Sequence, residues 1–316
     1  MKEKLKNLIS KGIRKKNKLR FGCFIEGCPE TAINSHSQSL SNALKKISKN
    51  GHVVSAKLRY FRSADDIKSC FQRIGVSCAS TFIGFRAEHD NRYFRSADNI
   101  DQQNTTKESL ARLAFRTFAY EERTKEQTLF FCDYVISNAD NQCDLSYLQS
   151  YAVGVANHLK VTRPYYLDRF ISMLESQDYD QVNGLVFILN RMIPISCSTV
   201  IDPTMIDSDD LMKDDLQKPL NQVFFNLIPQ TNSSLVVFAY FKEQEVMLQE
   251  FIRKLTSLEN IVFNHCEEVL MSPDFYDSLS SELKCKIIKG LRCWAFWERE
   301  HFPDLFNVKL ESPIYI

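Results

Sequence analysis

Leu185-Val186-Phe187-Ile188-Leu189 opens a series of short apolar segments that continues through residues 195–201, 223–228 and 235–241. All four are rich in branched and aromatic side chains and are bounded by polar or turn-forming residues, which predicts strands. Helical patterning surrounds them. Upstream, Thr105-x-x-Glu108 reads as a capping box, and Leu110, Leu113, Ala114, Phe118 and Tyr120 follow at mostly helical spacing, predicting a helix over residues 105–136. Residues 143–159 predict a second helix, which Pro164 should break or kink before a third over residues 165–174. Downstream, residues 242–258 and 260–271 read as helices. Ser272-Pro273 reads as an N-cap followed by proline at the first helical position, and residues 279–297 form a further helical stretch. Helices, a small mostly antiparallel sheet, then helices again make an α+β body.

The chain has 316 residues, 44% hydrophobic and 25% charged, a composition that excludes wholesale disorder and fibrous repeats. No apolar run approaches the ~18 residues of a membrane span. The N-terminus lacks an apolar signal core, so a cytoplasmic chain is expected, and its ten cysteines should then serve metal binding or core packing. Glycine-rich phosphate loops and a Gly-x-Ser-x-Gly elbow are absent, which leaves motor, dinucleotide-binding and serine-hydrolase chemistry without support. The aspartates among residues 207–215 fit no calcium-loop spacing, and a surface loop is their expected role.

A net charge of +1 hides a split: residues 1–20 carry nine Lys/Arg against Glu3 alone, whereas residues 102–316 carry thirty acidic against twenty basic side chains. Four parts follow: a basic arm (1–20), a small cysteine- and histidine-bearing unit (21–101), a helical region (102–180) and the α+β C-terminal body (181–316). The arm can meet nucleic-acid phosphates, an anionic membrane surface or the acidic half of the same chain. Leu5, Leu8 and Ile9 at helical spacing predict that part of it docks, and the lack of a bulky aromatic face disfavours a membrane. Nucleic acid, DNA or RNA, is the expected partner, contacted by Lys11, Arg14, Lys15, Lys16, Lys18 and Arg20. A nine-residue segment, 59–67, recurs at 92–100 with eight identities.

Within the second part stand Cys23-Phe24-Ile25-Glu26-Gly27-Cys28, Ser35-His36-Ser37, Gly51-His52 and Phe85-Arg86-Ala87-Glu88-His89-Asp90. Two cysteines five apart, with glycine just before the second, suit a knuckle that supplies two thiolates to tetrahedral Zn²⁺. His89, at the start of an expected helix, is a third ligand, and its spacing asks for a cysteine at position 86, where the chain has Arg86. The fourth ligand is then His36, His52, Cys78 or water. His36, in a strand-like context, is a ligand, a general base or a structural histidine.

Cys-x4-Cys, Ser-His-Ser, Gly-His-Val, the run Thr81-Phe82-Ile83-Gly84-Phe85, His89-Asp90 and Phe94 resemble the zinc-motif region of a family of bacterial proteins of uncharacterised function. That family reads Phe-Cys-x-x-His-Asp where this chain has Arg86. Arg116, Glu121 and Lys125, Glu259-Asn260, and Ser272-Pro273-Asp274-Phe275-Tyr276 extend the likeness thinly along the chain. The motif order is also similar to that of treble-clef, HNH-type nucleases. This resemblance implies a treble-clef-like zinc unit ahead of the helical and α+β body, and a nuclease effector in bacterial defence. It implies structural Zn²⁺ on Cys23, Cys28 and His89, and His36 as the base that activates water. Asp90, with Asn34 or Asn91, would help hold a catalytic Mg²⁺ or Mn²⁺. The alternative is a non-catalytic, zinc-stabilised module, with the C-terminal body in either case engaging a protein partner.

Overall fold

A computed structural model of the chain describes residues 2–57, 70–140, 143–203, 217–255, 257–291 and 302–316. Its centre is an eight-stranded sheet, antiparallel at every pairing, in the order β10-β5-β8-β7-β6-β9-β2-β3. The expected strands are present as β5 (Val182–Leu189), β6 (Ile195–Ile201), β7 (Val223–Pro229) and β8 (Ser234–Phe241). Four more join them: β2 (His52–Lys57), β3 (Phe71–Gly75), β9 (Glu268–Met271) and β10 (Ile314–Tyr315). β2 pairs with β9, so the sheet takes strands from both sides of residue 101.

Both faces of the sheet are covered, which explains strands apolar along their whole length. Side chains alternate between the faces with period two. Leu185, Phe187, Val236 and Phe238 enter one core with α5 (Glu245–Lys254), α6 (Leu258–His265), α7 (Pro273–Ser278) and α8 (Ser281–Gly290). Val186, Leu235, Val237 and Ala239 enter the other, beneath α3 (Lys107–Asn138) and α4 (Ser146–Ser176). Two further helices are α1 (Lys2–Lys16) and α2 (Ala87–Phe94), and β1 (Asn34–His36) pairs with β4 (Thr81–Ile83) in a separate two-stranded sheet.

Several sequence expectations shift in the structure. The capping box of α3 starts one residue later, because Thr106 and Ser109 cap reciprocally while the Thr105 hydroxyl donates to the Asp101 carbonyl. Pro164 neither ends nor splits its helix: α4 runs through it. Pro164 lies on the exposed side, where water can satisfy the carbonyl it leaves free, and Thr162, Tyr166 and Phe170 pack both halves into the core. The helix expected over 260–271 stops at His265, and Glu268–Met271 becomes β9, hydrogen-bonded between β6 and β2. Tertiary pairing on both sides overrides a helical pattern there. Of the repeated segments, 59–67 lies outside the described residues, as do the aspartates from 207 to 215 and Cys293. The second copy ends α2, with Phe94 buried and Arg92 and Arg95 exposed.

Glu259 shows how a charged motif residue can be architectural. It is fully buried, and its Oε1 accepts the backbone N–H groups of Leu305 and Phe306, both at 2.7 Å, while Asn260 Oδ1 accepts that of Phe302. Two charge-assisted bonds thereby fasten the C-terminal tail to α6. Glu259→Ala should lower the unfolding free energy by about 2–4 kcal/mol in urea titrations, since it leaves two buried donors unmet. A loss under about 0.5 kcal/mol, within the range of ordinary surface substitutions, would refute that role.

Candidate metal centre

Residues 22–31 form a small loop closed by a bridge between Gly22 and Thr31 and by the Cys23 N–H to the Glu30 carbonyl, 2.9 Å. Within it the Cys28 N–H returns to the Ile25 carbonyl at 3.2 Å, and Gly27 takes a φ of +75°, which a side chain would resist. This turn brings both thiols to one side. The loop is tied to β4 by the Phe24 N–H to the Gly84 carbonyl, and Ser35, facing inward from β1, accepts the Phe85 N–H. Four residues beyond Phe85, the first turn of α2 carries His89.

The outcome is a compact donor set. One donor atom each from Cys23, Cys28 and His89 lie within 4.8 Å of one another, and Cys23 Sγ stands 3.2 Å from His89 Nδ1. Around a tetrahedral Zn²⁺ two thiolates would sit about 3.8 Å apart, so a small inward adjustment makes a coordination site. Soft sulfur with imidazole is the donor chemistry that suits zinc. Burial raises the Cys23 thiol above its usual range, whereas burial and the neighbouring Arg86 lower His89, leaving it neutral as a ligand must be. A metal that binds here therefore displaces thiol protons.

Arg86 occupies the N-cap of α2. Its backbone N–H donates to Cys23 Sγ at 3.4 Å, and its guanidinium pairs with Glu30 and with Glu88, the latter at 3.0 Å. None of the other candidate ligands joins the cluster. His52 is exposed with Nδ1 on the Asn50 carbonyl, Cys78 is exposed, and His36 Nδ1 lies 2.9 Å from the Ala79 carbonyl. A carbonyl only accepts, so His36 Nδ1 carries the hydrogen and Nε2 keeps its lone pair. Burial lowers the His36 pKa, with Arg116 adding to the effect, while the Ala79 hydrogen bond and the charges of Asp90 and Asp98 oppose it. Asn34 and His36 share one face of β1, two residues apart.

The metal loop does not stand alone. Phe24 packs edge-on against Phe85 and Phe118 and beside Phe115, and Phe85 meets Phe94. Burial of these side chains supplies about 1.5–3 kcal/mol each, so this part of the chain has apolar support besides any metal. The basic arm is docked too. Leu5, Leu8, Ile9 and Ile13 of α1 pack against Phe131, Cys132 and Val135 of α3, and Lys11, Arg14, Lys15, Lys18 and Arg20 remain exposed. Lys16 is the exception, half-buried near Lys57 and with its pKa lowered to about 8 by burial.

A second polar cluster is not apparent as a unit from spacing. Glu122, fully buried, accepts from His158 Nε2 at 2.6 Å and pairs with Lys125, and Lys125 also reaches Glu121. Nearby, Glu268 accepts from Ser55 and from Tyr120 and pairs with Lys57. The sequence signal for it is Glu121-Glu122-Arg123 followed by Lys125-Glu126 within an otherwise apolar helix, more charge than a buried face normally carries.

Two outcomes follow from these environments. Burial, aided by Glu267, raises Glu121 to about 8, so the folded protein holds its proton where the unfolded chain, at about 4.5, has lost it. That stability is complete below about 4.5 and drains away as pH rises towards 8, and a stability profile of Glu121→Gln should lack this component. An unchanged pH slope in Glu121→Gln would refute it. At the metal centre, one Zn²⁺ or Co²⁺ should bind per chain and be lost in Cys23→Ser. Metal removal should lower the melting temperature while far-UV circular dichroism keeps its folded shape, because Phe24, Phe85 and Phe94 remain packed; global unfolding on chelation would contradict this.

No family model matches the chain, and neither a curated protein nor a solved structure matches it, so the reading of the site rests on its own geometry.

Proposed function

We propose that this protein targets nucleic acid and hydrolyses phosphodiester bonds, with a structural Zn²⁺ on Cys23, Cys28 and His89 and with His36 as the general base. The observation that carries the proposal is the state of His36, which is outside the thiol–imidazole cluster, neutral by burial, and has its Nε2 lone pair uncommitted by the Nδ1 bond to Ala79. Such an imidazole can take a proton from an attacking water. Asp90 on α2 and Asn34 on the His36 face of β1 are oxygen donors suited to a hard Mg²⁺ or Mn²⁺, which would neutralise charge developing on the phosphate. The knuckle, the β1–β4 pair and the ligand-bearing α2 are the parts a treble-clef-like arrangement needs, with β2 and β3 of the large sheet inserted between the two strands. The exposed cations of α1, joined to the knuckle by only Phe21 and Gly22 after Arg20, would meet the phosphate backbone.

A second reading, a non-catalytic module that binds nucleic acid and assembles with a protein partner, draws on α1. Its docked apolar face presents basic residues whether or not cleavage occurs.

The two readings separate on purified protein incubated with plasmid DNA and with RNA in Mg²⁺ and in Mn²⁺. Cleavage should occur, and His36→Ala should slow it by about 10²–10⁴-fold while metal content and folding stay unchanged. Replacing Lys15, Lys16 and Lys18 with Gln should weaken binding and reduce its salt slope by ~0.9 for each phosphate of duplex DNA that is no longer neutralised. Salt-sensitive binding without cleavage of either substrate would favour the second reading, and equal activity in His36→Ala would remove its role as base.

A further inference from the structure

The metal centre supplies three protein donors, and position 86 accounts for the missing fourth. In a helix that opens at Ala87, a residue three before His89 is its neighbour on the same face. The backbone bears out this proximity, since the Arg86 N–H reaches Cys23 Sγ at 3.4 Å. A cysteine at this position would complete a tetrahedron. Arginine cannot, because guanidinium stays protonated and has no lone pair to give. Its charge is instead committed to Glu30 and Glu88. Among the described residues no further His, Cys, Asp or Glu joins the three.

The charge around the centre decides what can fill the gap. Two thiolates cancel a divalent cation, and the two carboxylates paired with Arg86 outweigh its single positive charge. Beside the knuckle lies a cleft of about 520 Å³ between the metal loop and α4. Ile25 and Glu26, which sit between the two ligand cysteines, form one wall, while Asp168, Ile171 and Glu175 stand on the other, and no cationic side chain among the described residues lines it. Within that cleft an incoming phosphate would meet the carboxylates of Glu26, Asp168 and Glu175, whereas a neutral nitrogen or oxygen donor carries no charge for them to repel. Cys28 is partly exposed, so such a donor has a route in.

We propose that the metal on Cys23, Cys28 and His89 keeps its fourth coordination position open, filled by water and exchangeable for a neutral nitrogen donor of the imidazole class. Arg86 is the residue that leaves it open. Two cysteines, one histidine and a water form the donor set of an open zinc site, so the metal that holds the knuckle together is not closed by protein on its fourth side. The inference rests on the metal reading above but not on cleavage; phosphodiester chemistry at His36 would not use this metal.

Cobalt-loaded full-length protein tests the proposal through its visible spectrum. The wild type should show a thiolate-to-cobalt charge-transfer band, and added imidazole should shift the ligand-field bands saturably while inorganic phosphate at equal concentration leaves them in place. Arg86→Cys should raise the charge-transfer intensity per cobalt by roughly half, three thiolates replacing two, and should abolish the imidazole response. Arg86→Ala, which supplies no ligand, should keep it. Charge-transfer bands that imidazole cannot move would show a closed site and overturn the inference while sparing the metal reading. A phosphate response equal to that of imidazole would overturn the choice of donor. Absence of any charge-transfer band would overturn the metal reading itself.

Discussion

Phe115 and Phe118 on α3 lie between two layers that the chain builds from distant segments. On one side they meet Phe24 of the cysteine loop, with Phe85 beside Phe115, and on the other Phe170 of α4, with Phe224 of the sheet against Phe118. This aromatic stack couples the metal loop, the helical layer and the sheet into one apolar core. Ring pairs at these separations favour tilted and edge-on contacts, which restrict how α3 can rotate or slide. The direction in which the loop presents its thiols is consequently set by a helix far downstream in the chain.

The same helix is burdened with charge. Arg116 is buried against Asp98 at 2.7 Å and over the Phe94 ring, so the helix reaches the end of α2 electrostatically as well as through packing. Further along, Glu121, Glu122 and Lys125 are enclosed with His158. Buried ion pairs of this kind are costly to form and more costly to break, so they act on which arrangement is adopted more than on net stability. One oxygen of Glu121 and one of Glu122 have no hydrogen-bond partner among the described residues.

The thiol–imidazole cluster and His36 differ in donor type and surroundings although both lie within residues 21–101. The cysteines and His89 are soft donors gathered by a turn and a helix start, whereas His36 is a strand residue held by a main-chain carbonyl. Arg86 stands three residues before His89 with its backbone N–H on Cys23 Sγ, and its guanidinium has no lone pair to offer a metal. The acidic cleft next to the knuckle and the basic outer face of α1 give the molecule two surfaces of opposite sign.

How much of this is legible in the sequence varies with the range of the interaction. The strands at 185–189, 195–201, 223–228 and 235–241 can be read directly, because branched and aromatic residues confined to short runs leave few other structures. Cys23, Cys28 and His89 can be nominated from spacing, since a knuckle and a helix start are local geometries. The docking of α1 is also visible in Leu5, Leu8 and Ile9. By contrast, β9 looks helical in isolation and becomes a strand because β6 and β2 offer it hydrogen bonds on both sides. The continuity of α4 through Pro164 depends on neighbours that hold both halves in place. That His36 lies outside the thiol–imidazole cluster, with Nδ1 on the Ala79 carbonyl 43 residues away, is likewise not visible in its neighbours along the chain. Sequence by itself determined the local conformations and the chemical types of the donors; only tertiary structure decided which of them meet, because burial and long-range pairing act between residues whose separation along the chain carries no signal.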